Sequence, residues 1–296
     1  MKNSRIYNNR IIDELKKPEV QIKLVHEFFN GQYTEEEVHE LLTAKDSIQD
    51  ELALKNPAYN DGSGMRTVDR VTLRLAEEFR SLPDQMPGTV QEWYRTTPLY
   101  VFDLLKWNTT QMFLDKYAKV DRLIRKQQFA SMVDFGGGIG ITAMLLAEAS
   151  HIPAENIIYV DLKGSPTFNF AKFLFDKFGF SITMMDPEDL YRSNTQADAV
   201  LALDVLEHIV DIEHHVAQLS QRFRWFLNFN EFTADPVAQP QHIHTSGDIP
   251  FAQTMIRYHY FPEDFPVLFR KKVPQWAISQ EPNGQVKMEG PQWYDI

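Results

Sequence analysis

The sequence predicts an α/β protein with a doubly wound, mostly parallel sheet, preceded by a helical subdomain. Three observations carry that expectation. From Phe129 onward, short apolar runs alternate with amphipathic helical runs, the pattern of parallel βαβ units. A glycine-rich turn, Asp134-Phe135-Gly136-Gly137-Gly138-Ile139-Gly140, lies between the first apolar run and the first helical run. Acidic residues Asp134, Asp161, Asp186 and Asp204 stand at or just after the carboxyl ends of four successive expected strands. In an open α/β sheet those ends line the ligand crevice.

Residues 1–128 read as a helical subdomain, and residues 129–296 as the sheet domain. Thr34-Glu35-Glu36-Glu37 matches a capping box. Val38, Leu41, Leu42, Ile48 and Leu52 then continue at helical spacing to a stop at Asn56-Pro57, followed by an Asn60–Gly64 loop. Val68, Val71, Leu75 and Phe79 mark a second amphipathic helix ending at Leu82-Pro83. Thr89 with Glu92 opens a third, Pro98 starts the next, and helical periodicity runs through Tyr100–Trp107 and Met112–Ile124. No repeat or low-complexity tract interrupts this part. A lid over the ligand and a homodimer surface are the two roles expected of it.

In the second part the expected strands are Phe129–Val133, Asn156–Val160, Phe180–Met185, Ala197–Leu203 and Phe223–Phe229. Ser165-Pro166 is an N-cap followed by a first-turn proline, and Asp211 caps a later helix. Runs near Val267–Val273 and Gln275–Ser279 are expected to close the sheet as a hairpin.

The bulk properties narrow the function. A formal net charge of -11 opposes attachment to nucleic acid or to an anionic membrane, so a small-molecule substrate is expected. The absence of cysteine excludes a disulfide framework, a thiolate nucleophile and Cys-ligated metal. The polar start from Met1 to Arg10 lacks the apolar core of a signal peptide, and no run approaches the roughly eighteen apolar residues of a membrane span. A cytoplasmic protein is the expectation.

The glycine turn lacks the Gly-Lys-Ser/Thr end of a P-loop, since Ile141 and Thr142 follow Gly140. Nor does it complete the dinucleotide pattern, because Ile141 stands where the third glycine belongs. The match is Asp134-x-Gly136-x-Gly138-x-Gly140, which resembles the first motif of class I S-adenosylmethionine-dependent methyltransferases. The resemblance extends over roughly the last 170 residues. It implies a Rossmann-like domain of the class I methyltransferase type. It further implies that Asp161 accepts both ribose hydroxyls, Leu162 covers the adenine, and Asp186 meets the adenine edge. Asp204-Val205-Leu206-Glu207-His208-Ile209 resembles the segment after strand four in small-molecule members. The implied cofactor set is Asp134, Gly136, Gly138, Gly140, Asp161, Leu162, Asp186 and Asp204, around S-adenosylmethionine.

Methyl transfer to a protonated oxygen or amine gains from a nearby base, most often histidine. His208 follows strand four directly and is the first candidate, its alternative being a ring that packs at the start of a helix. The loop His242-Ile243-His244 is the second, and His244 is expected on the acceptor side. Tyr94, Arg95 and Tyr100 are expected in the core or, as the resemblance implies, reaching the amino-acid end of the cofactor or an acidic substrate, and Tyr258–Phe261 either in the core or lining the acceptor pocket. His208, His242, His244, Asp204 and Glu207 offer nitrogen and oxygen ligands, but no metal signature such as H-E-x-x-H occurs, so no metal is expected. Glu213-His214-His215, on adjacent helical positions, makes a poor chelate.

Two rivals share the fold: a transferase of another alkyl group, resembling the aminopropyltransferases, and a non-catalytic S-adenosylmethionine-binding module. Aminopropyltransferases carry an acid directly after their glycines, where this chain has Ile139. Nucleic-acid methylation is disfavoured by the charge and by the lack of an Asn/Asp-Pro-Pro-aromatic run after strand four.

Overall fold

The structure, a computed structural model, describes residues 6, 9–49, 65–84, 86–232, 238–244, 247–264, 266–280 and 286–295, with backbone alone from 273 onward. The expected loop Asn60–Gly64 and the helix stop at Asn56-Pro57 lie outside the described residues.

The amino-terminal part contains α1 (Arg10–Leu15), α2 (Pro18–Phe28) and α3 (Glu35–Thr43). The capping box closes on α3 as expected: Thr34 Oγ1 accepts the Glu37 N–H, and the Glu37 carboxylate accepts the Thr34 N–H. The helix does not run on to Leu52. It stops at Thr43, where Ala44 turns extended, and Lys45–Gln49 forms β1, antiparallel to β2 (Met65–Asp69). Ile48 fits either periodicity in so short a run, and an ion pair from Arg70 to Asp46 at 2.7 Å fixes the hairpin. Val68 therefore belongs to β2, and the second helix, α4 (Arg70–Arg80), starts after it. Next come α5 (Pro87–Thr96), α6 (Leu99–Trp107) and α7 (Gln111–Gln127). α5 opens at Pro87 rather than Thr89, because the fixed φ of proline suits a first helical position.

α7 ends as Gln128 takes a left-handed φ of 58°. The Asp198 carboxylate then holds the Ala130 and Ser131 N–H groups, so the first parallel strand, β3, runs Met132–Phe135 rather than Phe129–Val133. Asp134 lies within that strand. The rest follows the expected alternation: α8 (Ile141–Glu148), β4 (Ile157–Val160), α9 (Pro166–Phe178), β5 (Thr183–Met185), α10 (Pro187–Arg192), β6 (Ala199–Leu203), α11 (Ile212–Ser220), β7 (Trp225–Phe229) and α12 (Asp248–Arg257). β8 (Tyr260–Asp264), β9 (Leu268–Gln280) and β10 (Val286–Asp295) close the sheet. The expected hairpin between 267 and 279 is instead one strand, β9, which pairs with β10. Pro274 is tolerated there because, among the described pairings, β9 beyond Lys271 has β10 alone beside it.

The strand order is β10-β9-β7-β6-β3-β4-β5, with β5, β4, β3, β6 and β7 parallel and the others antiparallel. The chain winds outward from β3 through β4 to β5, then returns to β6 on the other side of β3. That reversal opens a crevice at the carboxyl end of β3. Side chains alternate across the sheet. Met132, Ile157, Tyr159, Leu201 and Leu227 pack with α8, α9 and the amino-terminal helices, whereas Val133, Val160, Val200 and Phe226 pack under α10, α11 and α12. The amino-terminal helices share the first of these cores. Phe28 of α2, for example, meets Phe170 of α9 edge-on at 4.9 Å. No described helix is long and apolar enough to cross a membrane.

Candidate functional site

The glycine turn leaves β3 and is tied at once to the next strand: the Gly136 and Gly137 N–H groups both donate to the Val160 carbonyl, at 2.8 and 3.1 Å. Gly136 and Gly138 have φ of 70° and 56°, a region that side chains avoid. Space demands glycine as well. A Cβ on Gly136 would lie 2.0 Å from Val205 Cγ2, and one on Gly138 would lie 2.9 Å from Leu104. The turn is thus wedged between the segment after β6 and helix α6.

Asp161, at the end of β4, locks the same turn. One carboxylate oxygen accepts the Gly138 N–H at 2.7 Å and the other accepts the Leu162 N–H at 2.6 Å. The Tyr159 hydroxyl donates to the Gly138 carbonyl at 2.5 Å. Burial pushes the Asp161 carboxyl up to about 6, against the pull of its N–H donors. Asp186 caps α10 through the Glu188 N–H at 3.1 Å and also accepts the Lys163 N–H at 3.1 Å. Asp204, after β6, has a left-handed φ of 51°, a strained conformation for a residue with a side chain. Trp107 Nε1 donates to it at 3.1 Å, and the Lys116 ammonium pairs with it at 2.6 Å. Asn230 accepts the Val205 and Leu206 N–H groups, at 2.6 and 2.8 Å, and shapes the turn that follows.

A cavity of about 320 Å³ sits on these strand ends. Gly136, Gly138, Asp161, Leu162, Asp186 and Asp204 line one side. Tyr94 and Arg95 of α5, with Tyr100, Leu104 and Trp107 of α6, line the other. His208 borders this cavity and also a second one of about 380 Å³ that lies behind it. Its Nδ1 is 3.0 Å from the Tyr94 hydroxyl, which also donates to the Gln241 carbonyl at 3.2 Å. Burial, with His242 beside it, holds the His208 imidazole well below its ordinary value, so the ring is neutral at pH 7. Glu207 is 1% exposed, and burial, with the Asp204 charge nearby, pushes its carboxyl up to about 8.

Other sequence candidates stand elsewhere. Asp134 is 1% exposed and lies behind the turn, accepting the Ala143 N–H, and burial pushes it up to about 8. Gly140 forms the N-cap of α8 against Phe175 and does not line the cavity. His244 Nε2 donates to the Ile209 carbonyl at 2.5 Å, and the ring lines neither cavity. Tyr258–Phe261 do not line the cavity either; Tyr260 is core, its hydroxyl donating to the Phe223 carbonyl at 2.6 Å. Tyr94, Arg95 and Tyr100 do face the cleft.

Trp107, Lys116 and Asn230 are site residues with no sequence signal of their own, whereas the sequence reads His215 only as part of a poor chelate. His215 lines the main cavity and contacts the Tyr191 hydroxyl. The cap at Asp211 sets the helix that carries it to the cavity.

No protein-family model and no curated protein matches the chain. Among solved structures it is similar to human N-acetylserotonin methyltransferase in complex with SAM, at 17% identity over 74% of this chain and 68% of that one, with a TM-score of 0.45. It is also similar to the SAH-bound methyltransferase PaMTH1 of Podospora anserina, at 11% identity over 76% and 97%, with a TM-score of 0.41. A third is the YcgJ protein of Bacillus subtilis, at 15% identity over 59% and 94%, with a TM-score of 0.42. By its own strand order and crevice, the chain has a Rossmann-like, doubly wound α/β fold.

Proposed function

We propose that this chain is a class I S-adenosylmethionine-dependent methyltransferase acting on an oxygen or nitrogen of a small molecule. One observation carries the reading: the glycine turn, Asp161, Leu162, Asp186 and Asp204 share a single cavity with Tyr94, Tyr100, Trp107 and His208. The first group suits the cofactor, with the Asp161 carboxylate offered to ribose hydroxyls and Leu162 to the adenine face. The second suits an acceptor held under helices α5 and α6. A volume of about 320 Å³ lies in the usual range for small-ligand sites, roughly 300–1,000 Å³. The net charge of -11 favours a small acceptor over nucleic acid.

In this reading residues 1–128 serve as the lid and acceptor wall of the sheet domain, 129–296. The sulfonium supplies its own leaving group, so the protein aligns donor and acceptor and excludes water. Held by the glycine turn, Asp161, Leu162 and Asp186, S-adenosylmethionine would supply the activated methyl group to the acceptor lone pair, its thioether being the leaving group. The acceptor proton passes to the neutral His208 ring, which Tyr94 and the Gln241 carbonyl orient. His244 braces the loop through Ile209 and takes no part in the chemistry.

Incubating the protein with methyl-labelled cofactor and metabolite pools, then following label by mass spectrometry, tests the reading. Label on a small molecule is expected; cofactor bound but no label transferred would indicate a binding module. Asp161→Ala is expected to weaken cofactor binding about ten- to a hundredfold, the value of one or two charge-assisted hydrogen bonds. Unchanged affinity in calorimetry would remove Asp161 from the site.

A further inference from the structure

We propose that Glu207, His208 and His242 form a binding site for one divalent transition-metal ion. One donor atom from each lies within 4.8 Å of the other two. Glu207 and His208 are adjacent in the turn after β6, while His242 arrives from a segment more than thirty residues on. The backbone holds that segment in place: the Ile243 and His244 N–H groups both donate to the Glu207 carbonyl, at 2.9 and 3.3 Å. The two imidazoles meet edge to face, with ring centres 4.5 Å apart. Tyr94 and the Gln241 carbonyl steady His208 from outside the trio, as outer partners of a ligand histidine do.

A second observation points to a ligand. One Glu207 carboxylate oxygen accepts the Glu231 N–H at 3.2 Å, but the other has no hydrogen-bond partner in a side chain that is 1% exposed. A buried carboxyl oxygen without a hydrogen-bond partner is costly. A cation held between it and the two rings removes that cost. The trio borders the second cavity, about 380 Å³, which leaves room for further ligands from solvent or substrate.

The donor set selects the ion. Two imidazoles and one carboxylate, without cysteine, suit Mn²⁺, Fe²⁺, Co²⁺ or Zn²⁺ better than Ca²⁺ or Mg²⁺, which favour oxygen throughout. Metal–ligand bonds of roughly 2.0–2.2 Å require the donors to draw together around the ion. His208 also borders the main cavity, so a bound ion would present an electrophile beside the acceptor and replace that ring as the group that activates it. This last link rests on the proposed methyl transfer, whereas metal binding does not.

The test therefore reads metal directly, without cofactor or acceptor. The full chain, stripped with a chelator, is titrated with Mn²⁺ followed by electron paramagnetic resonance and with Zn²⁺ followed by calorimetry. One equivalent of at least one ion is expected to bind, and it should raise the melting temperature. His242→Ala and Glu207→Gln are each expected to weaken binding at least about tenfold. If Glu207→Gln does not fold, His242→Ala alone decides. Failure of the wild-type chain to bind either ion, or wild-type affinity in His242→Ala, overturns the site and leaves the methyl-transfer reading standing.

Discussion

Gly136→Ala is expected to destabilise the chain by about 3 kcal/mol and to abolish binding of S-adenosylmethionine. Two effects combine. A side chain at φ of 70° carries a torsional cost of about 1 kcal/mol or more. The new methyl would also lie 2.0 Å from Val205 Cγ2 and 2.6 Å from its Cβ, so one of the two loops must shift, at about 1–3 kcal/mol. Because Gly136 and Gly137 are tied to Val160 and Gly138 to Asp161, a shift of the turn moves the groups offered to the cofactor. Urea unfolding with and without cofactor measures both effects. In a Val205→Gly background the alanine should cost less, since the steric part is gone while the torsional part remains. An equal cost in both backgrounds would show that the approach of Val205 is not what requires glycine.

His208→Ala is expected to lower turnover about 10²- to 10⁴-fold while changing cofactor affinity by less than about twofold. The ring borders the cavity on the side proposed for the acceptor and makes none of the contacts that pin Asp161 or the glycine turn. Tyr94→Phe, which removes the hydroxyl 3.0 Å from Nδ1, should produce a smaller loss of turnover in the same direction. Full activity in His208→Ala would place proton removal elsewhere, whether by free base or by bound ion.

Much of the fold was legible in the chain because the parallel strands β3, β4, β6 and β7 are largely buried and the elements are flanked by strong punctuation. Ser165-Pro166 and Asp211 act at helix starts as their chemistry predicts. The β1–β2 hairpin was not legible. Lys45–Gln49 holds one apolar residue, Ile48, and so has no periodicity of its own; its pairing is set by residues 65–69 and by Arg70, distant in sequence. The shift of β3 likewise depends on Asp198 reaching back to Ala130 and Ser131.

The site divides in the same way. The strand-end carboxylates follow from topology, because an open sheet brings its carboxyl ends to one crevice. Which of them faces the crevice does not follow, and Asp134, one residue inside β3 rather than beyond it, lies buried behind the turn. The groups that hold Asp204, Trp107 and Lys116, come from the helical part across a tertiary contact that no local spacing encodes. His208 was legible from its place after β6, but its partners Tyr94, Gln241 and His242 emerge only when three separate segments meet.

The cavity at the carboxyl end of β3 is expected to bind S-adenosylmethionine through an ionised Asp161. Calorimetric titration of the full chain with this cofactor at pH 7 and pH 5 tests it most directly. Asp161 titrates at about 6 in the folded protein, raised by burial. Its carboxylate is therefore mostly present at pH 7 and mostly protonated at pH 5. One equivalent should bind at pH 7, with affinity falling toward tenfold at pH 5. Absence of binding at pH 7, or affinity independent of pH across this range, would contradict it.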